Sequence, residues 1–167
     1  MCMPIFLIGF MGVGKTTVGK EIGLLQNLPV IDMDHFIEEK EGRPIKEIFR
    51  EDGESFFRTI ETQALMELKK KEAVITTGGG IIERKENRDI LSESGKVFHL
   101  YCSFEELWER LEGDCERPLV LKNSRDQLRN LYDRRLPLYR NASSSEIDTT
   151  GKSIEETLNE LKRHIES

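Results

Sequence analysis

Ile5-Phe6-Leu7-Ile8-Gly9-Phe10-Met11-Gly12-Val13-Gly14-Lys15-Thr16-Thr17 starts with four apolar residues at strand length and runs into a Gly-x-x-x-x-Gly-Lys-Thr pattern. Val18-Gly19-Lys20-Glu21-Ile22 then continues at helical spacing. Strand, glycine-rich loop and helix in this order are what a phosphate-binding P-loop requires. Gly9, Gly12 and Gly14 permit backbone turns that point successive N–H groups inward as an anion nest. The helix starting near Lys15 adds its positive N-terminal end. In such a loop the lysine reaches the outer phosphates, and the Thr16 hydroxyl is placed to ligate magnesium. The stretch predicts a protein that binds a nucleoside triphosphate.

The rest of the composition sets limits on that reading. At 167 residues the chain suits one domain, 1–167, with room for a real core. Its hydrophobic fraction is 37% and its charged fraction 34%, as expected of a soluble protein with a highly charged surface. No apolar run approaches the roughly 20 residues of a membrane span, and Met1-Cys2-Met3-Pro4 lacks the basic patch of a secretory signal. Cys2, Cys102 and Cys115 lack metal-like spacing and suit free thiols in a reducing cytoplasm, with Cys102 in a core strand. A net charge of −6 argues against nucleic acid as a partner. It also means that anionic ligands must be met by cations gathered locally, so single arginines near motifs carry weight.

Taken in order, the pattern alternates strand and helix. A second strand, Val30-Ile31, ends at Asp32-Met33-Asp34, where the carboxyl end of a strand meets a ligand crevice in open α/β sheets. If the strand persisted, Asp32 and Asp34 would share a side; alternatively, Asp34 only caps the helix His35–Glu39. Pro44 starts a short helix through Ile45, Ile48 and Phe49, Asp52-Gly53 marks a turn, and a helix from Glu54 to about Lys70 follows. On it, Arg58 has Glu54 and Glu61 at i−4 and i+3. That is either a solvated ion pair or an arginine held for an anionic substrate. Strand three is Ala73–Thr76, and Gly78-Gly79-Gly80 after it is either a plain loop or a place of close backbone approach. A polar helix, Arg84–Ser92, precedes strand four, Lys96–Tyr101, in which His99 suits ordinary packing. Ser103-Phe104-Glu105-Glu106 reads as a capping box. The stretch of about 112–124 is polar and suits a mobile lid over a reaction that excludes water. A helix from about Arg125 to Arg135 is expected to end at Leu136-Pro137, before a strand Glu146–Asp148 and a last helix capped by Ser153 and Glu156. Five strands alternating with helices predict a doubly wound, three-layer α/β/α fold of the P-loop NTPase type with a five-stranded parallel sheet.

Seven segments in register over almost the whole chain make a more specific pattern. They are Gly-Phe-Met-Gly-Val-Gly-Lys-Thr-Thr (9–17), Asp-Met-Asp (32–34), Gly-Arg-Pro-Ile-x-x-Ile-Phe (42–49), Gly-Glu-x-x-Phe-Arg-x-x-Glu (53–61), Gly-Gly-Gly (78–80), Arg-Pro-Leu (117–119) and Arg-x-Pro-Leu-Tyr (135–139). Together they resemble the shikimate kinase family, whose fold is like that of nucleoside monophosphate kinases. The resemblance implies ATP-dependent phosphorylation of the 3-hydroxyl of shikimate, on the way to chorismate and aromatic amino acids. It assigns Gly12, Val13, Gly14, Lys15, Thr16 and Thr17 to the ATP phosphates, and Thr16 with Asp32 to Mg2+. It makes Asp34 the acceptor of the hydroxyl proton, sets Arg58 and Arg135 on the shikimate carboxylate, and has Gly79 and Gly80 contact the substrate. Arg117 would swing in from the lid, and Arg110 and Lys152 would flank the adenine. A monomer is expected, because the pattern leaves no apolar stripe unaccounted for.

Two rivals stay open at this level. Another small-metabolite P-loop kinase, acting on gluconate or a nucleoside monophosphate, would share loop and lid but not the arginine pair or the Arg-x-Pro-Leu-Tyr segment. A silent nucleotide-binding interaction module would have lost Lys15, the Asp-x-Asp or an arginine, and all are present.

Overall fold

The nearly continuous apolar strands foreseen in the sequence form the middle of the molecule. The computed structural model describes residues 3–114 and 118–167. Its strands are β1 (Ile5–Ile8), β2 (Val30–Asp32), β3 (Val74–Thr76), β4 (Lys96–Tyr101) and β5 (Ser145–Asp148). They pair in parallel in the order β2-β3-β1-β4-β5. β1 lies at the centre, with β3 on one side and β4 on the other, and every residue of β1 and β3 is buried. Burial on both faces is why these strands are apolar throughout rather than alternating. The chain turns to the β3 side after β1 and to the β4 side after β3. This change of direction opens a crevice above the carboxyl end of β1.

The helices are α1 (Lys15–Gln26), α2 (Met33–Glu41), α3 (Ile45–Leu68), α4 (Lys85–Ser92), α5 (Phe104–Leu111), α6 (Pro118–Lys122), α7 (Arg125–Ala142) and α8 (Ile154–Glu166). α1 packs with α8, while α4 packs with α3 and α7. The five-stranded parallel sheet and its helices give the α/β fold expected.

Several local expectations change. β2 stops at Asp32, which becomes the N-cap of α2 by accepting a hydrogen bond from the His35 backbone N–H (3.0 Å). Asp34 therefore sits in the first turn of a helix, and strand alternation does not relate it to Asp32. The capping role weighed for Asp34 falls to Asp32, whose backbone is extended as a cap requires. The two helices expected around Gly53 run together as α3, with Gly53 alone non-helical at φ 85° and ψ 172°. Ser103 does cap α5, but Glu106 does not return to it; its carboxylate is drawn instead to Gly151, Cys102 and Arg110. α7 does not stop at Pro137 but continues to Ala142. Tyr139, two residues beyond the proline, is buried and donates its hydroxyl to the Gly79 carbonyl (2.6 Å), so tertiary packing outweighs the lost backbone bond. The stretch expected to be an irregular lid contains the short helix α6. Leu24 (77%), Leu25 and Val30 are exposed, so an apolar patch is left over after all. Cys102 is buried, though it follows β4 rather than lying in it, and burial pushes its thiol up to about 11, which makes it unreactive. Cys2, Cys115 and Arg117 lie outside the described residues.

Candidate active site

The loop between β1 and α1 carries the phosphate-binding geometry. Gly12 (φ 81°) and Gly14 (φ 104°) take left-handed backbone, and Gly14 is the residue from which α1 starts. Side chains resist these angles, so the nest depends on glycine here. Lys15 folds over the loop, donating to the carbonyls of Gly9 (2.6 Å) and Phe10 (3.0 Å). Thr16 and Thr17 stand exposed at the first turn of α1, with Val13 buried behind them. Asp32 accepts a hydrogen bond from the Thr76 hydroxyl (3.1 Å), which ties β2 to β3 at the edge of the crevice.

Beyond the carboxyl end of β3, the three glycines each face a different polar side chain. A Cβ on Gly78 would meet the Asp34 carboxylate at 3.1 Å. One on Gly79 would lie 3.4 Å from Arg135 Nη1 and 3.6 Å from both the Gly9 carbonyl oxygen and the Met11 nitrogen. One on Gly80 would overlap the Arg58 guanidinium, 2.3 Å from Nη2. The run of glycine is thus a space requirement: Asp34 from α2, Arg58 from α3 and Arg135 from α7 close upon one segment that touches the phosphate loop. The close approach at residues 78–80 is thus made by side chains of the protein itself, and Arg58, only 12% exposed, is not a solvated surface pair.

Arg58 is held in place by acids. Its Nη1 donates to Glu61 (2.8 Å) and its Nη2 lies 3.5 Å from Glu54, while its buried Nε has no hydrogen-bond partner among the described residues. Glu61 is 1% exposed; burial pushes its carboxyl up, against the pull of Arg58. Arg135, 5% exposed, donates Nε to Glu83 (2.7 Å). Asp34 is half-buried, and burial together with the nearby Asp32 raises it to about 6, against the attraction of Lys15. A carboxylate tuned towards neutral pH beside a phosphate loop suits proton transfer.

At the other end of the phosphate loop, Arg110 donates Nη1 to the Gly12 carbonyl (3.1 Å) and pairs with Glu106 (3.2 Å). Lys152, in the loop after β5, pairs with Glu160 (2.7 Å). Glu106 also accepts from the Gly151 N–H (3.0 Å), so one carboxylate joins Arg110 to the loop bearing Lys152. Sequence reasoning had taken Glu106 only for a cap and had given no role to Glu83; Tyr139 had entered only as part of a motif. The bonds of Glu106 to Gly151, of Glu83 to Arg135 and of Tyr139 to Gly79 span 45 to 60 residues of chain, a separation at which local patterning carries no signal.

A central phosphate loop on a parallel sheet of this order places the chain among the P-loop phosphotransferases. Its structure is similar at the level of fold to a gluconokinase from Sinorhizobium meliloti, with TM-score 0.58 and 22% identity over 98% of this chain and 94% of the other. Closer similarity is more specific. The family model described as shikimate kinase matches residues 11–166. A shikimate kinase of Bacillus anthracis is 44% identical over 161 residues, covering 96% of this chain and 97% of its own. The structure of shikimate kinase from Acinetobacter baumannii in complex with shikimate superposes with TM-score 0.90 at 38% identity, over 99% of this chain and 93% of that one. The chain belongs to the shikimate kinase family.

Proposed function

We propose that the protein transfers the γ-phosphoryl group of ATP to the 3-hydroxyl of shikimate, giving shikimate 3-phosphate and ADP. The observation that carries this reading is the convergence of Asp34, Arg135 and Arg58 on Gly78, Gly79 and Gly80, against the loop at Gly9 and Met11. A small acid with vicinal hydroxyls meets all three: two guanidinium groups take its carboxylate, and Asp34 takes the hydroxyl that faces the phosphates. The reaction forms a bond from the hydroxyl oxygen to phosphorus and breaks the bond from phosphorus to the ADP oxygen. The hydroxyl proton passes to Asp34. Gly12, Val13, Gly14 and Thr17 bind the phosphates, and Lys15 leaves the Gly9 and Phe10 carbonyls to neutralise charge that grows in the transition state.

Magnesium is the expected ion. The Thr16 hydroxyl and the Asp32 carboxylate are an all-oxygen donor set, which fits it. Among the described residues no group of three His, Cys, Asp or Glu side chains could form a cage. The ion would therefore be held largely by phosphates and water, with Thr16 as ligand and Asp32 behind it. When bound, it offsets charge on the phosphoryl oxygens. The proposal extends to Arg110 and Lys152 flanking the adenine, to a lid of about 112–124 bringing Arg117 to the phosphates, and to a monomeric cytoplasmic enzyme formed as one domain over 1–167.

A coupled ADP-release assay compares shikimate, gluconate and nucleoside monophosphates at equal concentration with magnesium and ATP. Shikimate alone should stimulate ADP formation well above the background hydrolysis. Equal stimulation by gluconate, or none by shikimate, would overturn the assignment.

A further inference from the structure

Glu83 lies three residues past Gly80, on a segment with an unusually firm base. Its N–H donates to the Gly80 carbonyl (3.1 Å), closing a turn. Arg88 donates to the carbonyls of Ile82 (2.7 Å) and Glu83 (3.2 Å), and the buried Asn87 amide donates to the Ile81 carbonyl (3.0 Å). From this base the carboxylate reaches two consecutive residues of α7. Oε1 accepts from Arg135 Nε at 2.7 Å and from Arg134 Nη2 at 3.1 Å, while Oε2 accepts from Arg134 Nη1 at 2.7 Å. Burial raises the Glu83 carboxyl, but the hydrogen bonds from Arg134 and Arg135 outweigh it and leave the group below its usual range, hence ionised.

A guanidinium has five donors in a fixed plane, so engaging Nε from one side settles where the other edge points. Here the occupied edge faces Glu83, and Nη1 lies at the space above Gly79. Without Glu83 the Arg135 side chain would keep its charge but gain freedom to rotate, and would have to give that freedom up when substrate binds. Arg134, more exposed, supplies a second positive charge to the same carboxylate and so keeps Glu83 from cancelling Arg135 outright.

We infer that Glu83 is a positioning residue for substrate binding: it fixes the Arg135 guanidinium so that its Nη edge meets the carboxylate of the acceptor. The inference rests on the proposed use of Arg135 and adds a residue that touches neither ATP nor acceptor.

The test compares steady-state kinetics of Glu83→Gln and Glu83→Ala with the unaltered enzyme, each also in an Arg135→Ala background. Glu83→Ala should lower kcat/KM for shikimate by about tenfold, the scale of one coupled pair, with KM for ATP and kcat within about twofold. Glu83→Gln, which keeps shape and an accepting oxygen, should retain part of the loss-free behaviour and fall between the two. In the Arg135→Ala background, removing Glu83 should change nothing further. An unchanged shikimate kcat/KM, an equal rise in KM for ATP, or a full further loss without Arg135 would overturn the inference. An unaltered enzyme that ignores shikimate would instead overturn the proposed function, so the two failures are told apart.

Discussion

At the scale of single residues, Asp34 has the clearest consequence. Burial and Asp32 lift it to about 6, so its basic form is lost as the pH falls through that value. A raised carboxyl also means that its charged form is held at a cost to folding above about pH 6, and that this cost is relieved on acidification. For catalysis the sign is the reverse: kcat/KM for shikimate should fall about tenfold per pH unit below 6. Asp34→Asn should lower kcat on the order of 10²-fold or more and remove that acid limb, as read in a pH–rate series. Gly80 gives a second prediction. A methyl group there would lie 2.3 Å from Arg58 Nη2, at the far end of a side chain pinned by Glu61. Gly80→Ala should leave the fold in place but raise the shikimate KM on the order of 10- to 10²-fold, since Arg58 has to move. A KM within twofold of the original would show that Arg58 does not depend on that space. Both positions were legible in the sequence as candidates, from the Asp-x-Asp and the glycine run. What stayed hidden was that each glycine answers to one particular side chain, because the three partners lie on α2, α3 and α7 and only folding brings them together.

At the scale of elements, the strands and most helices followed from apolar runs and caps. The Ser153–Glu156 capping box forms in full at α8, and the buried strands β1 and β3 follow directly from their apolar runs. Misjudged boundaries lie where long-range contacts outweigh local chemistry. Pro137 suggested a stop, yet the buried Tyr139 and its bond to Gly79 carry α7 on. Capping by Asp34 was the alternative to a persisting strand, and Asp32, the last β2 residue paired with β3, takes the cap instead. The turn at Gly53 was expected and survives as a kink in α3, with φ 85° and ψ 172°, a region essentially reserved for glycine. Among the described residues no atom lies within 4 Å of an added Cβ there, so Gly53→Ala isolates backbone strain. It should destabilise the protein by about 1–3 kcal/mol, seen in urea as a lower midpoint with an unchanged slope. No loss of stability would mean that the kink is not under conformational demand.

At the scale of the whole molecule, the proposed reaction asks an acidic chain of net charge −6 to meet two anionic ligands with cations gathered at one crevice. Lys15 comes from the loop after β1, Arg58 from α3 and Arg135 from α7, and each is bonded to a carbonyl or carboxylate beforehand. Such preorganisation lowers what binding must spend on ordering side chains. The exposed Leu24 and Leu25 were not anticipated, since helical spacing alone does not say that α8 covers one side of α1 and leaves these two uncovered. Light scattering should nevertheless give the mass of one chain, 19.3 kDa; a value twice as large would point to pairing between copies.

Whether Arg58 holds the acceptor is read most directly from the dissociation constant of shikimate, by titration calorimetry, for the unaltered protein and Arg58→Ala. Shikimate should bind at least about tenfold more weakly to the variant, with ATP affinity within about twofold. Unchanged shikimate affinity, or an equal loss for both ligands, would contradict it.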